Sequence, residues 1–201
     1  MLKIEDVRDV DCTGYDLVVY DPPFDADWAW DYMPAFEGNN MIAFCGCTHI
    51  QKLVMAATQN GWTLQYQFIL DTIQSWLRGP NKPLSNYRSA ILLSDDHRFY
   101  YKDAVTKITE KGDKYYLRNV ERWSISRRRP CKYYKPVFWI NAMIGGISRR
   151  CNTCVDMFAG SGVVEYVCDK FGIACDSYDI EDFTSQSKEF IDMEYRQAMK
   201  C

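Results

Sequence analysis

The sequence predicts an α/β fold, a mostly parallel sheet with helices on both faces. Three observations carry the prediction. Tyr15 to Tyr20 is an apolar run of strand-favouring residues that stops at Asp21-Pro22-Pro23-Phe24. Cys154 to Phe158 is a second such run, followed by the Gly-rich Ala159-Gly160-Ser161-Gly162, a helical stretch and a third strand that ends in Asp179. Between these two regions, segments with strand and helix patterns alternate, as they do when helices cross over parallel strands.

The elements follow in order. Leu2-Lys3-Ile4 suits a short edge strand. Pro22 and Pro23 lack an N–H and fix φ, so they end the strand over 15–20 and stiffen the next loop. Asp21 is thereby set at the carboxyl end of a strand, where open α/β sheets hold ligands. Asp25 to Asn40 is a loop rich in acids and rings, with Trp28, Trp30, Tyr32 and Phe36. Met41 to Cys45 is the next buried strand. Thr48 is expected to N-cap a helix over 49–59, with Asn60-Gly61 as its C-cap. Leu64 to Leu70 and Ser89 to Leu93 are further strands, separated by the turn-rich Arg78 to Pro83. Lys135-Pro136 opens a helix through Val137, Ile140, Met143 and Ile144, which Gly145-Gly146 is expected to close. Val163 to Phe171 is the helix after the Gly-rich loop, stopped by Gly172, and Ser185 to Lys200 is the last helix.

Composition bounds the rest. With 201 residues, one domain over 1–201 is expected, long enough for a substantial core. Hydrophobic residues at 47% and charged residues at 25% are ordinary for a soluble protein, and no apolar run reaches the roughly 18 residues of a membrane span. The first residues lack the apolar stretch of a signal peptide, and nine cysteines without framework spacing suit reduced thiols. A cytoplasmic protein without a membrane partner is expected. Cys151-Asn152-Thr153-Cys154 has a metal or redox spacing, but it lacks a second pair. The two histidines, His49 and His97, have no ligand partner at a useful spacing, so no metal site is expected.

Charge is uneven. The stretch 98–150 holds 14 Lys/Arg against 4 Asp/Glu, a net +10, while the rest of the chain carries −13. Within that stretch Arg98 to Arg129 is the basic segment, where Tyr100, Tyr101, Tyr115, Tyr116 and Trp123 interleave with the charges and Arg127-Arg128-Arg129 stand at the end. Cations neutralise phosphates and rings stack on exposed bases, so a nucleic acid is the expected partner.

The two motifs suggest chemistry. A carboxylate, a backbone carbonyl and an aromatic ring within Asp21 to Phe24 can accept hydrogen bonds from an exocyclic amino group and stack on its base. A Gly-rich strand-to-helix turn lets a ligand approach the backbone, and the acid Asp179, 19 residues after Gly160, is placed for ribose hydroxyls. A dinucleotide fingerprint would want Gly or Ala at the sixth position from Gly160, where this chain has Glu165.

Together Asp21-Pro22-Pro23-Phe24 and Phe158-Ala159-Gly160-Ser161-Gly162 resemble the catalytic D-P-P-[YFW] and cofactor F-x-G-x-G motifs of the DNA amino-methyltransferases. The catalytic motif comes about 135 residues before the cofactor loop, an order similar to the beta class of that family. The resemblance is clearest over 15–24 and 135–181. It implies a Rossmann-like methyltransferase sheet with permuted motif order and a short target-recognition insertion at about 94–130. It implies S-adenosylmethionine as cofactor, held by Asp156, Phe158, Ala159, Gly160, Ser161, Gly162 and Asp179, with Asp6 (or Glu5) near the adenine and Lys135 at the head of a cofactor-side helix. Asp21, Pro22, Pro23 and Phe24 become the catalytic residues. Arg127, Arg128 and Arg129 become DNA contacts on a duplex whose target base is flipped out; a homodimer is compatible with such an enzyme. Adenine N6 is the expected target, because Asp leads the motif. Cytosine N4 is the alternative, and a catalytically silent nucleic-acid-binding relative is a third reading. A phage or a restriction-modification system would suit the compact length. Pro130-Cys131 lies in the basic segment and not at a strand end, which argues against cytosine C5 chemistry.

Overall fold

The apolar runs of the sequence become strands, and most of these strands assemble into one sheet with a parallel centre. The structure, a computed structural model, describes residues 2–23, 26–46, 49–76, 85–94, 107–108, 114–115, 120–122, 134–182, 184 and 187–199. In chain order the elements are β1 (Leu2–Ile4), β2 (Leu17–Tyr20), β3 (Asn40–Gly46), α1 (Ile50–Gln59), β4 (Leu64–Trp76) and β5 (Ser85–Leu93). Then follow β6 (Lys107–Ile108), β7 (Lys114–Tyr115), β8 (Val120–Arg122), α2 (Val137–Ile147), β9 (Thr153–Asp156), α3 (Val163–Lys170), β10 (Ala174–Asp179) and α4 (Lys188–Met199).

The main sheet runs β1-β10-β9-β2-β3-β5-β4-β8, and β6 pairs only with β7. From β1 to β3 every pairing is parallel. β5 alone runs counter, antiparallel to both β3 and β4, so the expected mostly parallel α/β sheet is observed. Side chains alternate across β2. Leu17 and Val19 face a core built with α2, α3 and Ile191 of α4. Val18 and Tyr20 face a second core built with α1 and the 3-10 turn over Asp27–Tyr32. Helices therefore cover both faces, and the four residues of β2 are fully buried.

Asp16 fixes the register at the centre. Its Oδ2 accepts the N–H of Asn152 at 2.7 Å and of Thr153 at 3.1 Å, tying the amino end of β9 to that of β2. Leu17 then pairs with Cys154 and Val19 with Asp156, and the N–H of Met157 donates to the carbonyl of Val19 at 3.1 Å. Two adjacent parallel strands consequently end side by side, one in Asp21 and the other in the Gly-rich loop.

Several expectations change. α2 runs through Gly145 and Gly146 to Ile147, because neither glycine takes the positive φ of a C-cap and the whole helix end is buried. The helix closes at Ser148, whose Oγ donates to the carbonyl of Gly145 at 2.8 Å. β4 and β5 are longer than the apolar runs that announced them, since antiparallel pairing continues past Leu70 through Asp71. The N-cap position of α1 is His49, without a side-chain cap, and Thr48 lies outside the described residues. Gly61, at φ +86°, ends that helix as expected. β8, inside the basic segment, adds an unforeseen parallel strand to β4, pinned by Arg122 Nε on Asp71 at 3.1 Å. No described helix is long and apolar enough to cross a membrane.

Candidate active site

The carboxyl ends of β2, β9 and β10 open onto one cleft of ≈ 500 Å³, within the size range of small-ligand sites. Asp21, Pro22, Pro23, Lys135, Phe158, Asp179 and Asp6 all line it. The structure thus brings together residues that the sequence spaces over more than 170 positions. Trp28, one of the rings of the 25–40 loop, lines it too, as do Arg8, Met157, Ile180 and Glu181, which the sequence does not single out as site residues. Ile180 had a signal: an apolar residue directly after the strand-end acid, here 70% exposed. Phe24, Arg127, Arg128 and Arg129 lie outside the described residues, as do most of the basic segment and the Arg78–Pro83 loop.

The loop after β9 is shaped by hydrogen bonds to its neighbours. The N–H of Ala159 donates to the carbonyl of Tyr178 at 2.8 Å, and that of Gly160 to Asp179 Oδ2 at 2.7 Å. Asp179 Oδ1 accepts from Ile180 N–H at 2.8 Å and weakly from Glu181 N–H at 3.4 Å. This acid therefore organises the loop as well as lining the cleft. Gly160 and Gly162 take φ of +50° and +77°, and Gly162 is the N-cap of α3. A Cβ at Gly162 would meet Thr184 Cγ2 at 3.0 Å, so a side chain there is both strained and crowded. Ser161 is buried in the loop.

Asp156, at the end of β9, is buried beneath the loop. Its Oδ1 accepts the N–H of Phe158 at 3.3 Å, while its Oδ2 has no partner among the described residues. Burial pushes its carboxyl well above the ordinary carboxylate range. Phe158 packs edge-on against Tyr20, ring centroids 5.3 Å apart, and so faces the cleft from a fixed position.

Asp21 meets Lys135. The Lys135 ammonium donates to Asp21 Oδ2, and its side chain is 6% exposed against 20% for that of Asp21. It also sits 5.1 Å from the centre of the Phe44 ring. Burial raises the Asp21 carboxyl, and the Lys135 charge pulls it back. The carbonyl of Pro23 accepts Ala26 N–H at 3.0 Å, whereas no described residue bonds the carbonyl of Pro22. Asp6, in contrast, spends its carboxylate on Arg8, which holds it down at about 2.

The lining suits some ligands and excludes others. Among the described lining residues, Glu5, Asp6, Asp21, Asp179 and Glu181 face Arg8 and Lys135 as countercharges. A pyrophosphate would be repelled there, whereas a cationic ligand with an apolar ring would be held by the acids, Trp28, Phe158 and Ile180. S-adenosylmethionine, with its sulfonium, ammonium and adenine, fits that donor set.

The Cys151-to-Cys154 spacing does not close on itself. Cys151 Sγ lies 3.9 Å from Asn40 Nδ2, and Cys154 turns to Cys168 of α3 and Cys175 of β10, the three sulfurs within 4.8 Å of one another. Burial pushes the Cys154 thiol up, which keeps it a neutral part of the core.

No protein-family model matches the sequence, and no curated protein matches it. Solved structures do. PvuII DNA methyltransferase (cytosine-N4-specific) superposes with a TM-score of 0.69 at 13% identity, over 99% of this chain and 92% of that one. The M1.HpyAVI–SAM complex gives 0.55 at 17% identity, covering 88% and 87%. TTHA0409 from Thermus thermophilus, a putative DNA modification methylase complexed with S-adenosyl-L-methionine, gives 0.61 at 12% identity, covering 96% and 95%. At these identities the likeness establishes architecture. The chain therefore has the Rossmann-like α/β fold of these DNA methyltransferase structures, with one mixed sheet between two helical layers.

Proposed function

We propose that this protein is an S-adenosylmethionine-dependent DNA methyltransferase that modifies an exocyclic amino nitrogen, adenine N6 being the favoured target. The observation that carries the reading is the meeting of Asp21, Phe158 and Asp179 around one cleft, at the ends of three adjacent parallel strands. When bound, S-adenosylmethionine supplies a methyl group activated by its sulfonium. Asp179 and the loop backbone orient it, and the acidic lining attracts its positive charge.

The target amine is a poor nucleophile because its lone pair is delocalised into the base. Asp21 and the Pro22 carbonyl would accept its two hydrogens and so localise that pair toward the methyl. Phe24 would stack on the base. In-line approach requires the base to leave the duplex, and the basic segment around Arg127–Arg129 would grip the backbone while it does. Adenine rests on Asp as the leading motif residue. Cytosine N4 is the second reading, favoured by the likeness to the PvuII enzyme. Incubating the protein with radiolabelled S-adenosylmethionine and unmethylated DNA, then identifying the nucleoside by mass spectrometry, tests both levels. Labelled N6-methyladenine is expected. N4-methylcytosine as the sole product overturns the target, and no label overturns the activity.

A further inference from the structure

The Asp21–Lys135 pair poses a question that the reaction alone does not answer. A carboxylate that accepts an amine hydrogen must be ionised and must present a free oxygen. Asp21 stands at the mouth of a buried strand, in surroundings that favour its neutral form. Lys135 is itself buried, and an ammonium taken out of water needs a partner. The two meet on one oxygen only. Lys135 Nζ bonds Oδ2, and no described residue bonds Oδ1.

The surrounding charges leave Lys135 as the one in contact with Asp21. Arg88 on β5 is buried nearby and its charge also pulls the Asp21 carboxyl down, less than that of Lys135, while its Nη1 donates to the carbonyl of Tyr134 at 3.4 Å. Asp156 at the end of β9 is held in its neutral form, the acids Glu5, Asp6, Asp179 and Glu181 share the cleft with Asp21, and Arg8 is engaged by Asp6. Lys135 cannot easily drift away. Its backbone is set by Pro136, which precedes α2, and the first N–H of α2, that of Val137, donates to Glu194 Oε2 of α4 at 3.1 Å. The Tyr134 hydroxyl donates to the same Glu194 oxygen. The segment carrying Lys135 is thus clamped on both sides.

We infer that Lys135 is a positioning residue for catalysis: it keeps Asp21 ionised and holds its Oδ2, leaving Oδ1 turned to the target amine. It lines the cleft and, within it, bonds the carboxylate that acts on the target amine. The inference rests on the proposed methyltransferase reading, and its test has an arm that does not.

In the first arm, methyl transfer by wild type, Lys135→Met, Lys135→Gln and Lys135→Arg is followed against pH at saturating cofactor and DNA. The acid limb of kcat should move up by about one unit or more in the Met and Gln variants, so the loss is on the order of tenfold below the wild-type limb and shrinks to nothing well above it. Lys135→Arg, which keeps the charge, should keep the limb where wild type has it. In the second arm, the Asp21 carboxyl is titrated by 13C NMR, its resonance assigned by its absence in Asp21→Asn. Its midpoint should rise in Lys135→Met whether or not the protein methylates DNA. An unmoved midpoint overturns the inference, as does a loss of kcat that is equal at every pH. So does a Lys135→Met protein that loses cofactor affinity while its acid limb stays put. If wild type transfers no methyl group but the midpoint rises, the pair is as inferred and the methyltransferase reading is what fails.

Discussion

Asp179→Ala tests the cofactor half of the site. In the wild type this carboxylate holds Gly160 N–H at 2.7 Å and Ile180 N–H at 2.8 Å, with a weaker bond from Glu181 at 3.4 Å. A hydrogen bond to a charged group contributes about 1.5–3 kcal/mol net. Asp179 is half-buried, so water can reach the Ile180 and Glu181 amides once the acid is gone. Gly160 lies at the tip of the loop at φ +50°, and the bond that fixes it is the one whose loss the ligand will feel. Counting that bond alone, cofactor affinity should fall by about 10- to 150-fold. Asp179→Asn keeps one acceptor oxygen and should fall less. The assay is calorimetric titration of S-adenosylmethionine into each variant, with urea unfolding run beside it to show that both are folded. A wild-type Kd in folded Asp179→Ala would refute the assignment of this loop as the cofactor cradle.

Three further outcomes are expected. Gly162→Ala should weaken cofactor binding and cost at least about 1 kcal/mol of stability in urea unfolding, because a Cβ there takes a left-handed φ and meets Thr184. Asp156→Asn should be more stable than wild type at alkaline pH. The folded state holds the Asp156 proton well above the ordinary value, so wild-type stability is full below about pH 4 and drains by about 1.4 kcal/mol per pH unit up to the raised value. Denaturant midpoints at several pH values check the slope, which should flatten in the variant. Replacing Arg127, Arg128 and Arg129 with Ala should weaken DNA binding and flatten its salt dependence by roughly one unit per lost phosphate contact. Cofactor affinity should stay near wild type, and an unchanged slope and affinity would mark the cluster as a solvated face.

The centre of the fold was legible because local signals agree there. β2 and β9 are short, largely apolar runs, and all three central strands have hard punctuation: two prolines after Asp21, glycines after Phe158, and an acid at Asp179 that ends β10. The edges were less legible. In β4 the apolar alternation breaks at Asp71-Thr72, yet Thr72 is fully buried, at the point where the ladder with β5 becomes irregular. Gly145-Gly146 read as a helix stop, and burial against the sheet overrode that preference. Within the site, each residue on a strand end could be named from its own neighbourhood. The Asp21–Lys135 pair could not, since 114 positions separate the partners and nothing local announces the contact. Asp179 was read as a ligand for ribose, and its hold on the Gly160 amide emerged only when two strands were laid side by side.

The central claim is that Asp21 acts on the target amine and not on the cofactor. The most direct measurement is the methyl-transfer rate of Asp21→Ala on unmethylated DNA, set beside its S-adenosylmethionine Kd. The account predicts that transfer is abolished while the Kd stays within about threefold of wild type, a change below about 1 kcal/mol. Substantial turnover in Asp21→Ala, or a loss that follows entirely from weakened cofactor binding, would contradict it.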